Sequence, residues 1–388
     1  MKKILAFSSI RSDYDIMSAL YKLLKDDEEI DFRIIVSGAH LSHSYGHSVD
    51  LIEKDGLDIL LSIETLLDSD TQVSRLKSAA LLLQNSLETI NKFAPDLMLF
   101  AGDREDVLIY AMIGGYLQIP SIHFFGGDHV TDGYIDNPVR HATSKLSTAH
   151  FVTLPEHKTR LIGMGEEAER IFVIGNISLD KFVDFEPVEL GEIKKYFDIT
   201  EGFEKYALLI FHPVTEEIEH VGEYFENILL NLKAKNISAF VSYPNVDPGN
   251  HKLIEVIQKY QNDRNFIFYK NLERNMFMSI YKHADLIIGN SSSGIMEAAS
   301  FKKPVINVGM RQTGRFADAN VIFCSTKYED IETALDRVLS TEFAEIITNV
   351  TNSYGNGDSA RKAYGIIKNT DFSLMFSKKT DPMKVDNV

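Results

Sequence analysis

Short apolar runs of strand length alternate with segments of helical period along nearly the whole chain. In the first half the runs are Ile4–Phe7, Phe32–Val36, Leu97–Phe100, Ser121–Phe125, His150–Val152 and Ile171–Ile174. In the second half they are Ala207–Phe211, Ser238–Tyr243, Phe266–Tyr269, Leu286–Ile288, Pro304–Val308 and Val321–Cys324. Helical patterns such as Ile16–Leu24, Ser74–Lys92, Val107–Leu117, Lys158–Met164, Val221–Ala234, Leu253–Tyr260, Met276–His283 and Ile331–Leu339 lie between them. Runs buried on both faces with helices between them specify parallel βαβ units. Six runs per half predict an α/β chain with two doubly wound domains, residues 1–185 and 186–370. The seam falls in Phe182–Phe197, where Pro187 and acidic residues break the period, and a last helical stretch covers Asp358–Asn369. The polar tail, residues 371–388, is expected to fray. Two such domains facing across a cleft would place a ligand at the carboxyl ends of both sheets.

Composition narrows the partner. A net charge of −16 over 388 residues argues against a nucleic-acid backbone or an anionic membrane surface. An anionic small molecule would need Arg, His and backbone N–H groups concentrated in loops. The single cysteine, Cys324, leaves no disulfide framework and no thiolate metal cluster, and its apolar run makes it a small core residue. The start of the chain has too short an apolar core for a signal peptide, and no run reaches membrane-spanning length. The expected location is cytoplasmic.

Chemistry-bearing residues follow one strand after another. They include Arg11-Ser12-Asp13, His40, Asp103-Arg104, Asp128-His129, His212, Asn245 and Arg311-Gln312. Each alone has a plain explanation, since α/β turns favour Gly, Asp and Asn. Their recurrence at seven strand ends points to a functional cleft. The stretch Leu286–Ala298 reads as a strand, a turn through Asn290, Ser291 and Ser292, and a helix opened by Gly294 with Glu297 in its first turn. Such a helix start suits a phosphate, and it equally suits an ordinary N-cap. Arg11, Arg311 and Arg315 are candidates for clamping a diphosphate, because a guanidinium fork matches phosphate oxygens. Glu297 could accept from ribose hydroxyls or compensate the helix dipole. Asp103, Asp128 and Asp136 are the acid/base candidates. No HExxH, CxxC or GxxxxGK[ST] motif is present, which argues against zincin, zinc-ribbon and P-loop chemistry.

Taken together, the segments resemble the hydrolysing UDP-N-acetylglucosamine 2-epimerases of sialic-acid and nonulosonic-acid biosynthesis. The resemblance runs from Arg11-Ser12-Asp13-Tyr14 to about Ile367. It rests on Gly102–Arg104, Gly126–Asp128, Val139–Ser147, Ile174–Asn176, Phe211–Thr215, Tyr243–Asp247, Gly289–Ala298 and Arg311–Arg315. It implies two Rossmann-like domains in the GT-B arrangement, with UDP held mainly by the second. His212, Asn245, Ser291, Ser292, Glu297 and Arg311 fall on nucleotide-contact positions, with Arg11 and Arg104 reaching from the first domain. Arg140, Asn290, Gly294 and Arg315 complete the expected substrate contacts. Asp103 and Asp136 match catalytic carboxylates, and His212 would assist the departing phosphate.

The implied reaction eliminates UDP to a glycal and adds water with inversion at C2, without metal or NAD. The implied substrate is UDP-N-acetylglucosamine or a related diacetamido sugar nucleotide, and the implied assembly is a homodimer or higher homo-oligomer. The chain departs from the common pattern in several places: Phe125 replaces an acidic residue, Asn137 the second of two carboxylates, Ile16 a lysine, and Ser9-Ile10 the glycine before the first arginine. Asp128 is then a candidate for part of the proton transfer. The alternatives are a non-inverting sugar-nucleotide hydrolase, which Phe125 favours, a GT-B glycosyltransferase, or a sugar-nucleotide-binding regulator.

Overall fold

The computed structural model describes residues 1–67, 71–130, 135–183, 185–214, 217–244, 249–270 and 272–385. Two compact units emerge. Of the described residues, one comprises Met1–His129, 135–183 and those from Tyr354 onward, and the other comprises Val130 and 185–353.

In the first unit, β1 (Lys2–Ser8), α1 (Arg11–Lys25), β2 (Ile30–Ser37), α2 (Val49–Lys54), β3 (Ile59–Ile63), α3 (Gln72–Phe93) and β4 (Leu97–Ala101) come first. They are followed by α4 (Glu105–Leu117), β5 (Ser121–Phe124), α5 (Asp136–Leu146), β6 (Ala149–Val152), α6 (Pro155–Gly163) and β7 (Ile171–Val173). The strands form a parallel sheet of order β3-β2-β1-β4-β5-β6-β7. Its two faces follow from the period of two along each strand. Ile4 and Ala6 of β1 enter one core cluster, with Leu20 and Leu24 of α1, while Leu5 and Phe7 enter the other, with Tyr110 of α4.

The second unit comprises α7 (Leu190–Tyr196), β8 (Tyr206–Ile210), α8 (Val221–Ala234), β9 (Ser238–Ser242), α9 (Asn250–Tyr260), β10 (Phe266–Tyr269) and α10 (Arg274–His283). Then come β11 (Leu286–Gly289), α11 (Ser292–Met296), β12 (Val305–Val308), β13 (Val321–Cys324), α12 (Tyr328–Val338) and α13 (Thr341–Asn349). Its parallel sheet has the order β10-β9-β8-β11-β12-β13. In each sheet the strand order reverses direction once, between β1 and β4 and between β8 and β11. Those are the switch points at which a doubly wound sheet binds its ligands.

All twelve expected strands are present, and the doubly wound α/β fold is as expected. The edge strand β3 was missed because its residues are mostly half-exposed and carry no clean alternation. Two boundaries differ. The last helix, α14 (Ser359–Asn369), belongs to the first unit, where Tyr364 Oη donates to Asp27 at 2.5 Å and Lys2 Nζ to the Ile367 carbonyl at 2.7 Å. The Asp180 carboxylate accepts from the Ser359 and Ala360 amides and so ties down its start.

The tail, expected to fray, is also tied down. Arg170 donates to the Ser377 carbonyl at 2.9 Å, and Lys378 pairs with the buried Glu166 at 2.6 Å. Long-range partners of this kind leave no local signature in a polar sequence. No helix among the described residues is long and apolar enough to cross a membrane.

Candidate active site

The carboxyl end of β4 turns at Gly102 (φ +104°), which presents Asp103 and Arg104 just before α4. Asp103 is gripped by Arg140 from the first turns of α5. Arg140 itself is 4% exposed, and its Nη1 donates to the Asn137 side chain at 3.0 Å and the Asp128 carbonyl at 3.1 Å. Arg140, expected as a substrate contact, is buried here and directed to Asp103, Asn137 and Asp128. The turn is braced by His123, buried on β5. Its Nε2–H donates to the Gly102 carbonyl at 2.8 Å, leaving Nδ1 to accept from the Ser144 hydroxyl at 3.0 Å. Burial drives the His123 pKa down to about 3, so the ring is neutral.

Asp136 opens α5. Burial, and after it the facing Asp103 carboxylate, push its pKa up to about 6, although Arg140, Arg75 and Arg104 pull the other way. Two carboxyl groups within electrostatic reach therefore have unlike surroundings, which is how acid/base roles are divided in a site.

Asp128 lies on the next loop. Its Oδ1 accepts from the His129 amide at 2.9 Å and stands 3.6 Å from His157 Nε2. His129 and His141 stack beside it with ring nitrogens 3.4 Å apart. The loop is tight: a Cβ at Gly127 (φ +77°) would lie 2.3 Å from the His157 carbonyl. Phe125 also adopts a left-handed backbone (φ +67°), and its ring packs against the core that includes Phe124 and Phe151. A side chain packed there supplies no polar group to the loop.

Arg11 starts α1 at the end of β1, exposed and 3.4 Å from Asp15. Arg104 stands 3.7 Å from the mostly buried Asp106. Sequence reasoning did not single out Asp13 for a role, yet it joins this group. Burial and the Asp106 and Asp103 carboxylates hold its pKa well above the usual range. Arg75 was also missed; it binds Glu105 through Nη2 at 2.6 Å and acts on Asp136. Asp13 lies in the Arg11–Tyr14 segment but has no assigned role there, and Arg75 lies in no motif, so the fold is what brings both to the group. His40 is structural: it is buried between the Ser8 and Ser48 hydroxyls at 2.8 Å each.

In the second unit, His212 follows β8 and Asn290 follows β11. The Asn290 side chain accepts from the His212 amide and donates to its carbonyl, each at 2.8 Å. Asn290 is 1% exposed, and its side chain is spent on the His212 backbone. Gly289 makes the crossing possible: with φ +133°, a Cβ there would sit 2.0 Å from the Ile210 carbonyl. Arg311 and Gln312 donate to the Asn290 carbonyl at 3.2 and 3.0 Å, and Arg315 donates to Gln312 at 3.1 Å.

The helix expected to start at Gly294 begins at Ser292 and is only five residues long, with Ser291 as its N-cap. Gly294 is buried where a Cβ would press on Val305 at 3.1 Å, so it serves packing. Glu297 sits at the C-terminal end of α11, where a carboxylate gains nothing from the dipole, and it accepts from Ser293 at 2.8 Å. Dipole compensation is thereby removed as its role. Ser291 and Ser292 are half-buried at the start of α11. Asn245 lies outside the described residues.

A profile of the family described as UDP-N-acetylglucosamine 2-epimerase matches residues 22–368. The chain belongs to that family. A Legionella pneumophila protein named UDP-N,N'-diacetylbacillosamine 2-epimerase (hydrolyzing) is 35% identical over 371 residues, 95% of this chain and 96% of its own. A Campylobacter jejuni protein named GDP/UDP-N,N'-diacetylbacillosamine 2-epimerase (hydrolyzing) is 31% identical over 347 residues, 89% of each chain. The crystal structure of the Neisseria meningitidis UDP-GlcNAc 2-epimerase bound to UDP-GlcNAc superposes with a TM-score of 0.80. At 17% identity, over 95% of this chain and all of the other, it establishes the shared 2-epimerase fold.

Proposed function

We propose that the chain is a hydrolysing 2-epimerase of a UDP-linked 2,4-diacetamido sugar, releasing UDP and the free sugar inverted at C2. The family membership is established, and the two relatives above 30% identity carry that substrate class in their names. The observation that carries the chemistry is the Asp103–Arg140–Asp136 arrangement. The C2 proton is not acidic, so it leaves only in concert with departure of UDP from C1. Asp136, with its pKa near 6, is ionised at neutral pH yet remains basic enough to accept that proton. The C2–H electron pair forms the C1=C2 bond of a glycal as the C1–O bond breaks and UDP takes its electrons. Asp103 stands beside it, paired with Arg140. Water then adds across the C1=C2 bond, and its hydroxyl goes to C1. The proton it gives up passes to the opposite face of C2, with Asp128 and His157 as our candidate relay, and Asp136 returns the proton it took to solvent.

In this reading His212, Asn245, Ser291, Ser292, Glu297 and Arg311 hold the nucleotide, joined by Arg315. Arg11 and Arg104 neutralise charge on the departing diphosphate. The enzyme works in the cytoplasm as a homodimer or larger homo-oligomer. UDP-N-acetylglucosamine is the second reading, favoured by the description of the family profile.

Proton NMR in D₂O with each UDP-sugar tests both readings. Free UDP with a C2-inverted sugar carrying deuterium at C2 is the expected result, faster with the diacetamido sugar. Undeuterated sugar of unchanged configuration would mean plain hydrolysis and would sink the elimination scheme.

A further inference from the structure

Asp128 stands between two peptide groups, and a guanidinium from a different helix holds the carbonyl of each. Arg160 of α6 donates through Nη1 to the Gly127 carbonyl, and Arg140 of α5 donates through Nη1 to the Asp128 carbonyl at 3.1 Å. A peptide group is planar, so holding the Gly127 carbonyl fixes the plane from which the Asp128 backbone departs. The carboxylate then has a set place. Its Oδ1 accepts from the His129 amide at 2.9 Å and lies 3.6 Å from His157 Nε2.

The two guanidinium groups differ in what else they hold. Arg140 also binds Asp103, so its loss would disturb the carboxylates of the elimination step. The second arm of Arg160 goes to Glu156, one turn earlier on α6, at 2.6 Å. A guanidinium presents its donors in one rigid plane, so the Glu156 pair aims Nη1 at the loop. Glu156 is half-exposed, and an ion pair of that kind adds little to stability. The helix approaches this closely because Gly127 has no Cβ, which would meet the His157 carbonyl at 2.3 Å.

We propose that Arg160 is a positioning residue that holds Asp128 in register with the His129 amide and His157 for hydration of the glycal. The role in hydration rests on the elimination scheme; the hold on Asp128 does not.

Two measurements on the parent, Arg160→Gln and Arg160→Met test it. The first is amide hydrogen exchange of the ligand-free protein, because the His129 amide reports where the Asp128 carboxylate is. Loss of the hold is expected to speed exchange at His129 about tenfold while the β4 amides keep the parent rate. The second is proton NMR in D₂O with the UDP-sugar that the parent turns over. A misplacement of about 1 Å costs a proton-transfer step up to about a hundredfold. UDP release in the first turnover is expected to stay within about twofold of the parent, while the inverted sugar forms about tenfold to a hundredfold more slowly. Free glycal, seen by its C1 vinyl proton, is expected to appear in the sugar's place.

Unchanged exchange at His129 overturns the proposal, and so does exchange quickened equally at β4. Equal slowing of UDP release and sugar formation overturns it too, because a merely structural role lowers both alike. Either variant decides if the other fails to fold. A parent that forms no C2-deuterated sugar would sink the elimination scheme instead, and exchange at His129 would then decide the hold on Asp128 alone.

Discussion

The side chain of Asn290 clamps the peptide backbone of His212, accepting from its amide and donating to its carbonyl at 2.8 Å each. Asn290 is buried and His212 half-buried, and the two bonds together fix the ends of β8 and β11 at the switch point of the second sheet. Asn290→Ala removes both bonds to the His212 backbone, and a buried backbone group that loses a partner costs about 1–3 kcal/mol. We expect a lowered melting temperature and UDP binding roughly tenfold weaker by calorimetry, since about 1.4 kcal/mol lost at the site is tenfold. Binding that stays at the parent value would show that His212 is not held in place for the nucleotide.

Asp136 links activity and stability to pH in opposite directions. In the unfolded chain an aspartate titrates near 3.9, whereas in the fold Asp136 is pushed up to about 6. The folded state thus holds this proton more tightly, and the stability it contributes at acid pH is lost as pH rises from about 4 through 6. Activity needs the ionised form, so kcat is expected to fall as pH drops through about 6. Asp136→Asn should lower kcat by about a hundredfold or more. It should also raise the melting temperature at pH 7.5 and leave it unchanged at pH 3.5, as a pair of thermal scans would read.

Much of this was legible before any coordinates. The β1, β4, β8 and β11 runs are apolar because both faces of each strand are covered, and a continuous run is easily seen. Arg140 and Asp103 were each named from motifs 37 residues apart, and the fold brings them into contact. Less legible was anything set by distant partners. The Lys378–Glu166 pair spans 212 residues, and the charges of the tail read as solvated. The run Ser291–Ser293 caps a helix well but propagates it poorly. That is why α11 stops after five residues and Glu297 ends on the wrong side for dipole compensation.

Gly289 tolerates no side chain. A Cβ would lie 2.0 Å from the Ile210 carbonyl, and its φ of +133° is strained for any other residue. Gly289→Ala must therefore push β11 away from β8 at the residue before Asn290. We expect a loss of about 3 kcal/mol or more, or insoluble protein. A soluble variant with parent-like melting would contradict the close approach of the two strands.

Lys378 is expected to matter although it lies in the last dozen residues. Its Nζ bonds Glu166 at 2.6 Å and the Ser144 and Lys145 carbonyls at 3.2 and 2.9 Å, so it both neutralises a buried carboxylate and caps α5. Burial opposes ionisation of Glu166, yet the His150 hydrogen bond and the charge of Lys378 hold its pKa down to about 2, while burial itself keeps the His150 pKa low. Stability from this group is present above about pH 4.3 and is lost as pH falls through 2. Lys378→Met leaves His150 and Lys145 in place, so the loss at pH 7 is about 2–3 kcal/mol, less than that for a fully stranded buried charge. The loss should shrink toward pH 2, where Glu166 protonates in either protein. Because α5 carries Asp136 and Arg140 at its other end, kcat is expected to fall several-fold while UDP affinity stays constant. Urea unfolding at pH 7 and pH 3, beside UDP calorimetry, separates these effects. An equal stability loss at both pH values would mean that packing of the tail, not the Lys378–Glu166 charge pair, holds α5.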